Sequence, residues 1–207
     1  MSVLLRSIAP WLLPSIVWRT AQPAVHLTFD DGPHPKATPT VLKILKQRRQ
    51  QAAFFLLGSN AERHPHLVRQ IKAEGHLIGN HGMVHTSLFL KQTKWQTEQI
   101  ERAGNVIEGL VGERPRLFRP PFGHFDRGTI KVVRALDLRM VMWSVDSKDF
   151  LIQDPQLIAE RASAQARPGS ILLLHDNDAT AESIGWYLDL ILKHLEQLQL
   201  TVAPFQL

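Results

Sequence analysis

The sequence predicts an α/β barrel organised as a single domain, and three observations predict it. Short apolar strands alternate with amphipathic helical stretches along the chain, no linker or low-complexity tract divides it, and clusters of Asp, His and Arg recur just where strands end. Polar chemistry gathered at strand carboxyl ends is what a barrel enzyme shows. With 207 residues, 44% hydrophobic and 21% charged, the chain can bury a sizeable core.

Each element has its own signal. Residues Val25 to Phe29 alternate apolar side chains and stop at Gly32-Pro33, which predicts the first strand. Thr38 is placed to cap a helix through Arg49, Ala52 to Leu57 reads as a strand, and Asn60 is placed to cap a helix ending near Gly75. A strand at His76 to Ile78 and a helix over Thr93 to Leu110 follow. Leu117-Phe118 forms the next strand, Asp126 caps a helix to Leu136, and Arg139 to Val145 reads as one apolar strand. Pro155 opens another helix, Ser170 to Leu174 is the sixth strand, Ala179 to Gln197 the last helix, and Leu200 to Ala203 a seventh strand.

Asp30 and Asp31 end the first strand. Two adjacent carboxylates repel, and burying both without a cation or a strong donor costs on the order of several kcal/mol. A metal ion resolves that conflict, although Asp-Asp-Gly-Pro read alone is also a capping turn. His81 and His85, four apart after the third strand, share one face if the segment is a helical turn, so both imidazoles could reach one ion with a carboxylate. Read alone, the pair is more often a solvated loop. That ligand mixture suits one borderline divalent metal, zinc first, with cobalt, nickel or manganese as alternatives, and leaves positions open for water and substrate. Arg119-Pro120-Pro121-Phe122-Gly123 is a stiff turn that could hold Arg119 and the Phe122 N–H rigidly, as oxyanion donors must be held. Asp146 to Phe150 and His175-Asp176 each follow an apolar strand, and a histidine so placed is often a satisfied core group.

Together, in this order from Thr28 to Asp176, these five segments resemble the motifs of the polysaccharide deacetylases of carbohydrate esterase family 4, the NodB homology group. The resemblance implies a distorted (β/α)7 barrel and a metal-dependent hydrolase that removes acetyl groups from N-acetylated sugars of the chitooligosaccharide or peptidoglycan type. It implies Asp30 as general base, Asp31, His81 and His85 as metal ligands, His175 as general acid and Arg119 as the residue orienting the base. It further implies that Asp146 or Asp149 tunes the acid, that the Phe122 N–H is the oxyanion donor, and that Leu173 lines the acetyl pocket beside Pro121 and Phe150. Three positions depart from the family pattern. Gly82 stands where Ser or Thr is usual, removing a hydroxyl that orients the histidine loop; Phe122 replaces Tyr; and Phe150 replaces Trp, changing one wall of the cleft. The family also admits O-acetyl esters and other acylated small molecules as substrates, and a non-catalytic carbohydrate-binding relative is the alternative from another class. The intact acid, base and metal positions favour the enzyme.

Residues 1–24 are expected to form an arm or helix packed on the barrel, with 25–207 as the catalytic domain. Val3 to Trp18 is apolar but is broken by Arg6, Pro10 and Pro14, and falls short of the ~20 residues of a membrane span. No convincing signal peptide is present, so a cytoplasmic or membrane-peripheral location is expected ahead of secretion. A net charge of +5 suits an anionic membrane or cell-wall surface. No nucleic-acid module signature appears, which excludes that class, and a monomer acting on an acetylated oligosaccharide or cell-wall glycan is expected.

Overall fold

The computed structural model describes residues 15–205. A seven-stranded sheet runs in the order β5-β4-β3-β2-β1-β7-β6. Its strands are β1 (His26–Asp30), β2 (Ala53–Leu56), β3 (Leu77–Asn80), β4 (Leu117–Phe118), β5 (Arg139–Met140), β6 (Val145–Asp146) and β7 (Ile171–His175). All six pairings are parallel. Around it lie α1 (Ala37–Gln47), α2 (Gly58–Arg63), α3 (Pro65–Ala73), α4 (Thr93–Val111), α5 (Arg127–Ala135), α6 (Pro155–Gln165) and α7 (Ile184–Gln197).

Alternation along the central strands divides the apolar residues into two cores. Leu27, Phe29, Phe54, Leu56, Leu172 and Leu174 face the helices, whereas Ala53, Phe55, Ile171 and Leu173 face a second cluster with Met140, Met142 and Trp143. Burial on both faces is why these strands read as near-continuous apolar runs. The second cluster is the interior of a curled sheet.

The curl is forced by the connection between β5 and β6. These strands occupy opposite edges of the sheet, yet only residues 141–144 separate them. Five steps of extended chain reach roughly 17 Å, so the two edges must come round to face each other. Residues 15–19 enter that seam. The Val17 N–H donates to the Met140 carbonyl at 2.9 Å, the Met142 N–H donates to Val17 at 2.8 Å, and Arg19 forms an antiparallel bridge with Ser170. Ile16 and Trp18 are buried in the interior cluster. The expected arm is therefore, over its described part, a strand-like segment inside the seam; its residues 1–14 lie outside the described residues.

Several expected boundaries move. The strand expected from Arg139 to Val145 is two strands at opposite edges: Met140 to Trp143 are buried in the sheet's interior cluster and Val145 in the helix-facing one, so the run reads as one apolar stretch across the crossing. Leu200 to Ala203 forms only a bridge between Val202 and Val25, so the seventh strand comes from the division just described. The helix expected from Asn60 to Gly75 breaks at His64, which is pushed out of helical geometry (φ −129°, ψ 55°) before Pro65. The final helix starts at Ile184, not Ala179. Thr38 does not cap α1, since its hydroxyl donates to Asp176, whereas Asp126 caps α5 by accepting from Thr129 N–H at 2.8 Å. No helix among the described residues is long and apolar enough to cross a membrane.

The buried seam segment generates a stability prediction. Trp18 is 4% exposed. Trp18→Ala should cost about 3 kcal/mol in urea unfolding, and Trp18→Phe no more than about 1.5 kcal/mol. A cost below about 0.5 kcal/mol for the alanine variant would show that the segment merely lies on the surface.

Candidate active site

Each acidic or imidazole group of the site stands at or just beyond a strand's carboxyl end. Asp30 is the last residue of β1 and His175 the last of β7, and the two are register partners on neighbouring strands. Asp31 follows with φ 78°, starting the turn. The turn then runs against a fully buried carboxyl group: a side chain added at Gly32 would stand 2.4 Å from Asp176 Oδ2, so only glycine fits. Burial, reinforced by the charges of Asp31 and Asp30, pushes the Asp176 carboxyl well above the usual carboxylate range.

The two adjacent carboxylates have different environments. Asp30 Oδ1 accepts from Arg119 Nη1 at 2.7 Å. The Arg119 side chain is fully buried, stacks on Phe55 at 4.1 Å and also donates to the Val141 and Met142 carbonyls and the Thr28 hydroxyl. Burial lowers the guanidinium pKa and Asp30 offsets that, but an arginine so paired keeps its charge. Asp31 Oδ2 accepts from Asn177 Nδ2 at 2.7 Å, while its Oδ1 is buried without a hydrogen-bond partner among the described residues. That oxygen lies 3.4 Å from His81 Nε2 and 3.3 Å from His85 Nε2. Burial alone would raise the Asp31 pKa; His81, His175 and His85 outweigh it and hold the carboxyl well below the usual range.

The imidazole pair reaches this point through a loop, not the helical turn expected from its spacing. Gly82 has φ 85°, a left-handed conformation that would strain the Ser or Thr usual in the family. Its N–H donates to Asn80 Oδ1 at 2.7 Å, and its carbonyl accepts from Gly58 N–H at 2.9 Å. The loop is thus anchored through Asn80 and the α2 backbone without the missing hydroxyl. His81 Nδ1 lies 2.7 Å from the Arg119 carbonyl, which requires the hydrogen on Nδ1 and turns Nε2 toward Asp31.

Asp31, His81 and His85 offer three ligand atoms within 4.8 Å of one another. Two ligands ~2.1 Å from one ion at a tetrahedral angle stand ~3.4 Å apart, close to the separations from Asp31 Oδ1. The orphaned oxygen, the oriented imidazole and the donor chemistry all fit a borderline divalent ion.

On the opposite side, His175 Nδ1 is bonded to Asp149 Oδ1 at 2.7 Å, and the His175 N–H donates to Asp149 Oδ2 at 2.8 Å. Burial by itself would push this imidazole down; the Asp149 carboxylate, with Asp30 and Asp31 behind it, raises its pKa to about 9. Asp146, the other candidate for tuning, instead pairs with Lys148 at 2.9 Å on the cavity wall. A cavity of about 500 Å³ joins the two halves, lined in part by Phe122, Trp143, Phe150 and Leu173. Pro121 is buried and is not among the lining residues, so the structure does not bring it to the cavity. Phe122 has φ 59° in the turn Pro121–Gly123 and packs its ring 4.1 Å from His85. Phe150 sets its ring edge against His175 at 5.1 Å.

Sequence reasoning missed two contributors. Asn177, which holds Asp31, follows the His175-Asp176 pair by one residue and carried no periodic signal. Tyr187, the single tyrosine of the chain, is buried on α7 and donates from its hydroxyl to Asp149 Oδ2 at 3.0 Å. Burial and the adjoining Asp149 charge raise its phenol well above the ordinary value, so it stays a donor. Only its singularity in the composition could have drawn notice.

Comparison with known proteins agrees with this geometry. A family model described as polysaccharide deacetylase matches residues 19–141. A chitooligosaccharide deacetylase of Azorhizobium caulinodans is 37% identical over 166 residues, covering 80% of this chain and 79% of that one. A peptidoglycan-N-acetylglucosamine deacetylase of Bacillus cereus is 38% identical over 151 residues, 73% of this chain and 55% of that enzyme's length. Among solved structures, a peptidoglycan N-acetylglucosamine deacetylase in complex with a naphthalenyl N-oxidanyl-benzamide superposes with TM-score 0.87 at 30% identity, over 95% of this chain and 94% of that one. A family pseudoenzyme from Bacillus anthracis superposes with TM-score 0.84 at 25% identity, over 93% and 68% of the two chains. With its motifs, its curled sheet of parallel strands and these relatives in agreement, the chain belongs to the polysaccharide deacetylase family, carbohydrate esterase family 4.

Proposed function

We propose that this protein is a zinc-dependent hydrolase that removes acetyl groups from N-acetylglucosamine units of a chitooligosaccharide or peptidoglycan-type glycan. The single observation that carries the reading is the convergence, across one cavity, of an Asp31–His81–His85 ligand set, an Arg119-bound Asp30 and an Asp149-bound His175. The two named relatives, a chitooligosaccharide and a peptidoglycan deacetylase, supply the substrate class.

Asp31, His81 and His85 would hold the ion, which when bound polarises the acetyl carbonyl and lowers the pKa of water. Asp30, fixed by Arg119 and turned toward the ligand set, removes the proton from the attacking water. His175, with Nδ1 committed to Asp149, presents Nε2 to the cavity and donates its proton to the leaving amine. The Phe122 N–H supplies the oxyanion donor and Leu173 the apolar wall for the acetyl methyl group. Acetate and a free amino sugar leave. No covalent intermediate is needed.

The carboxylates are separated by role, and substitution should show it. Asp30→Asn should lower the rate by ~10²–10⁴ while zinc content, read by atomic absorption, stays at wild-type level. Asp31→Asn and His81→Ala should lose the zinc. The opposite pattern in the two Asp variants would reverse their assignment.

The acid assignment makes a pH prediction. His175 works protonated, and its raised pKa of about 9 keeps it so through neutrality. The rate of acetate release should therefore fall on the alkaline side as His175 loses its proton. Asp149→Asn should move that fall toward lower pH, since the charge that retains the proton is gone while burial remains. Tyr187→Phe should move it the other way, because a carboxylate with one donor fewer attracts the His175 proton more strongly. Identical alkaline limbs in all three proteins would remove His175 as the acid.

A further inference from the structure

The segment between β3 and α4 is built to display two large apolar side chains. Phe89 is 49% exposed and Leu90 is 78% exposed. Leu90 also has φ 58°, a left-handed backbone conformation that costs a side-chain-bearing residue energy. The tip is nonetheless held firmly. Leu90 N–H donates to Asp126 Oδ2 at 2.8 Å, and Gln96 Nε2 clasps the Leu88 and Lys91 carbonyls at 2.9 and 3.0 Å. Leu88 is buried beneath as the anchor. A lone exposed leucine needs no explanation, but an adjacent apolar pair pinned outward by three side-chain hydrogen bonds does.

A second, independent observation surrounds this tip with positive charge. Asp126 heads α5, and along that helix Arg127, Lys131 and Arg134 stand at i, i+4 and i+7, all exposed on one face. Lys91 adjoins the tip itself. None of these four has a carboxylate partner among the described residues, and Asp126 is committed as the cap of the helix.

We propose that this face docks on an anionic lipid bilayer, with Phe89 and Leu90 inserted at the headgroup boundary and the four cations set against the lipid charges. An apolar tip flanked by lysine and arginine is the pattern of interfacial binding. A soluble anionic polymer would satisfy the cations and leave Leu90 in water, which is why the lipid surface is the occupant the tip fits. Ser87 Oγ lies 3.2 Å from His124 Nδ1, and His124 lines the cavity, so docking holds the cavity mouth beside the bilayer. This goes beyond the deacetylase reading and does not rest on it.

Vesicle flotation of the full chain tests the proposal. Wild type should float with phosphatidylcholine vesicles carrying roughly 30% phosphatidylglycerol, weakly with pure phosphatidylcholine, and less in high salt. Phe89→Ser with Leu90→Ser, and separately Arg127→Glu with Lys131→Glu and Arg134→Glu, should each cut the bound fraction at least tenfold. Turnover of soluble chitooligosaccharide should be unchanged in both. Undiminished flotation of the Phe89/Leu90 variant overturns the proposal. So does loss of soluble-substrate turnover with vesicle binding intact, which would make the tip a sugar contact, or binding to dextran sulfate that matches vesicle binding and ignores the Phe89/Leu90 substitutions, which would make the face a polymer site.

Discussion

Arg119 is the interaction on which fold and site both depend. Its guanidinium, fully buried, donates to the Val141 and Met142 carbonyls of the crossing segment and to Thr28 and Asp30 at the end of β1. One side chain therefore ties the segment that closes the curled sheet to the strand that carries the paired carboxylates. Removing one partner of such a buried pair costs about 3–5 kcal/mol, because the other charge is left without compensation. The planar fork with several donors is what lysine lacks, so a lysine here would leave the crossing carbonyls unserved.

The same residue sets the division between the two carboxylates. Arg119 neutralises Asp30 and, through its carbonyl, fixes the tautomer of His81. Among the described residues, Asp31 receives the Asn177 amide on one oxygen and no hydrogen bond on the other, which faces two imidazoles. In the proposed reaction this difference is what lets Asp30 take a proton while its neighbour Asp31 binds a cation. Across the cavity, Asp149 accepts from three donors of His175 and Tyr187, holds the imidazole in one orientation and keeps its proton. His175 and Asp30, the proposed acid and base, thus end adjacent strands, each fixed by a buried partner.

Much of this was legible in the sequence because strand ends are punctuated. Asp30-Asp31-Gly32-Pro33, the His81 to His85 spacing and His175 after four apolar residues mark their places without any contact being known. The Asp126 cap was readable for the same reason. Three features were not. The crossing at residues 141–144 is hidden because Met140 to Trp143 and Val145 are all buried, in one cluster or the other, so hydrophobicity hardly changes where topology does. The choice of Asp149 over Asp146 depends on the turn after the two-residue strand, which carries Asp149 to His175. Tyr187 and Asn177 act from a helix and a turn whose positions only tertiary packing decides.

The most direct measurement of the central claim is anomalous diffraction at the zinc edge from crystals of the protein loaded with one equivalent of zinc. The account predicts a single strong peak bonded by Asp31 Oδ1, His81 Nε2 and His85 Nε2, with Asp30 still on Arg119 and outside the coordination sphere. A peak ligated by Asp30 in place of Asp31, or no peak at these residues in protein that releases acetate from N-acetylglucosamine oligomers, would contradict it.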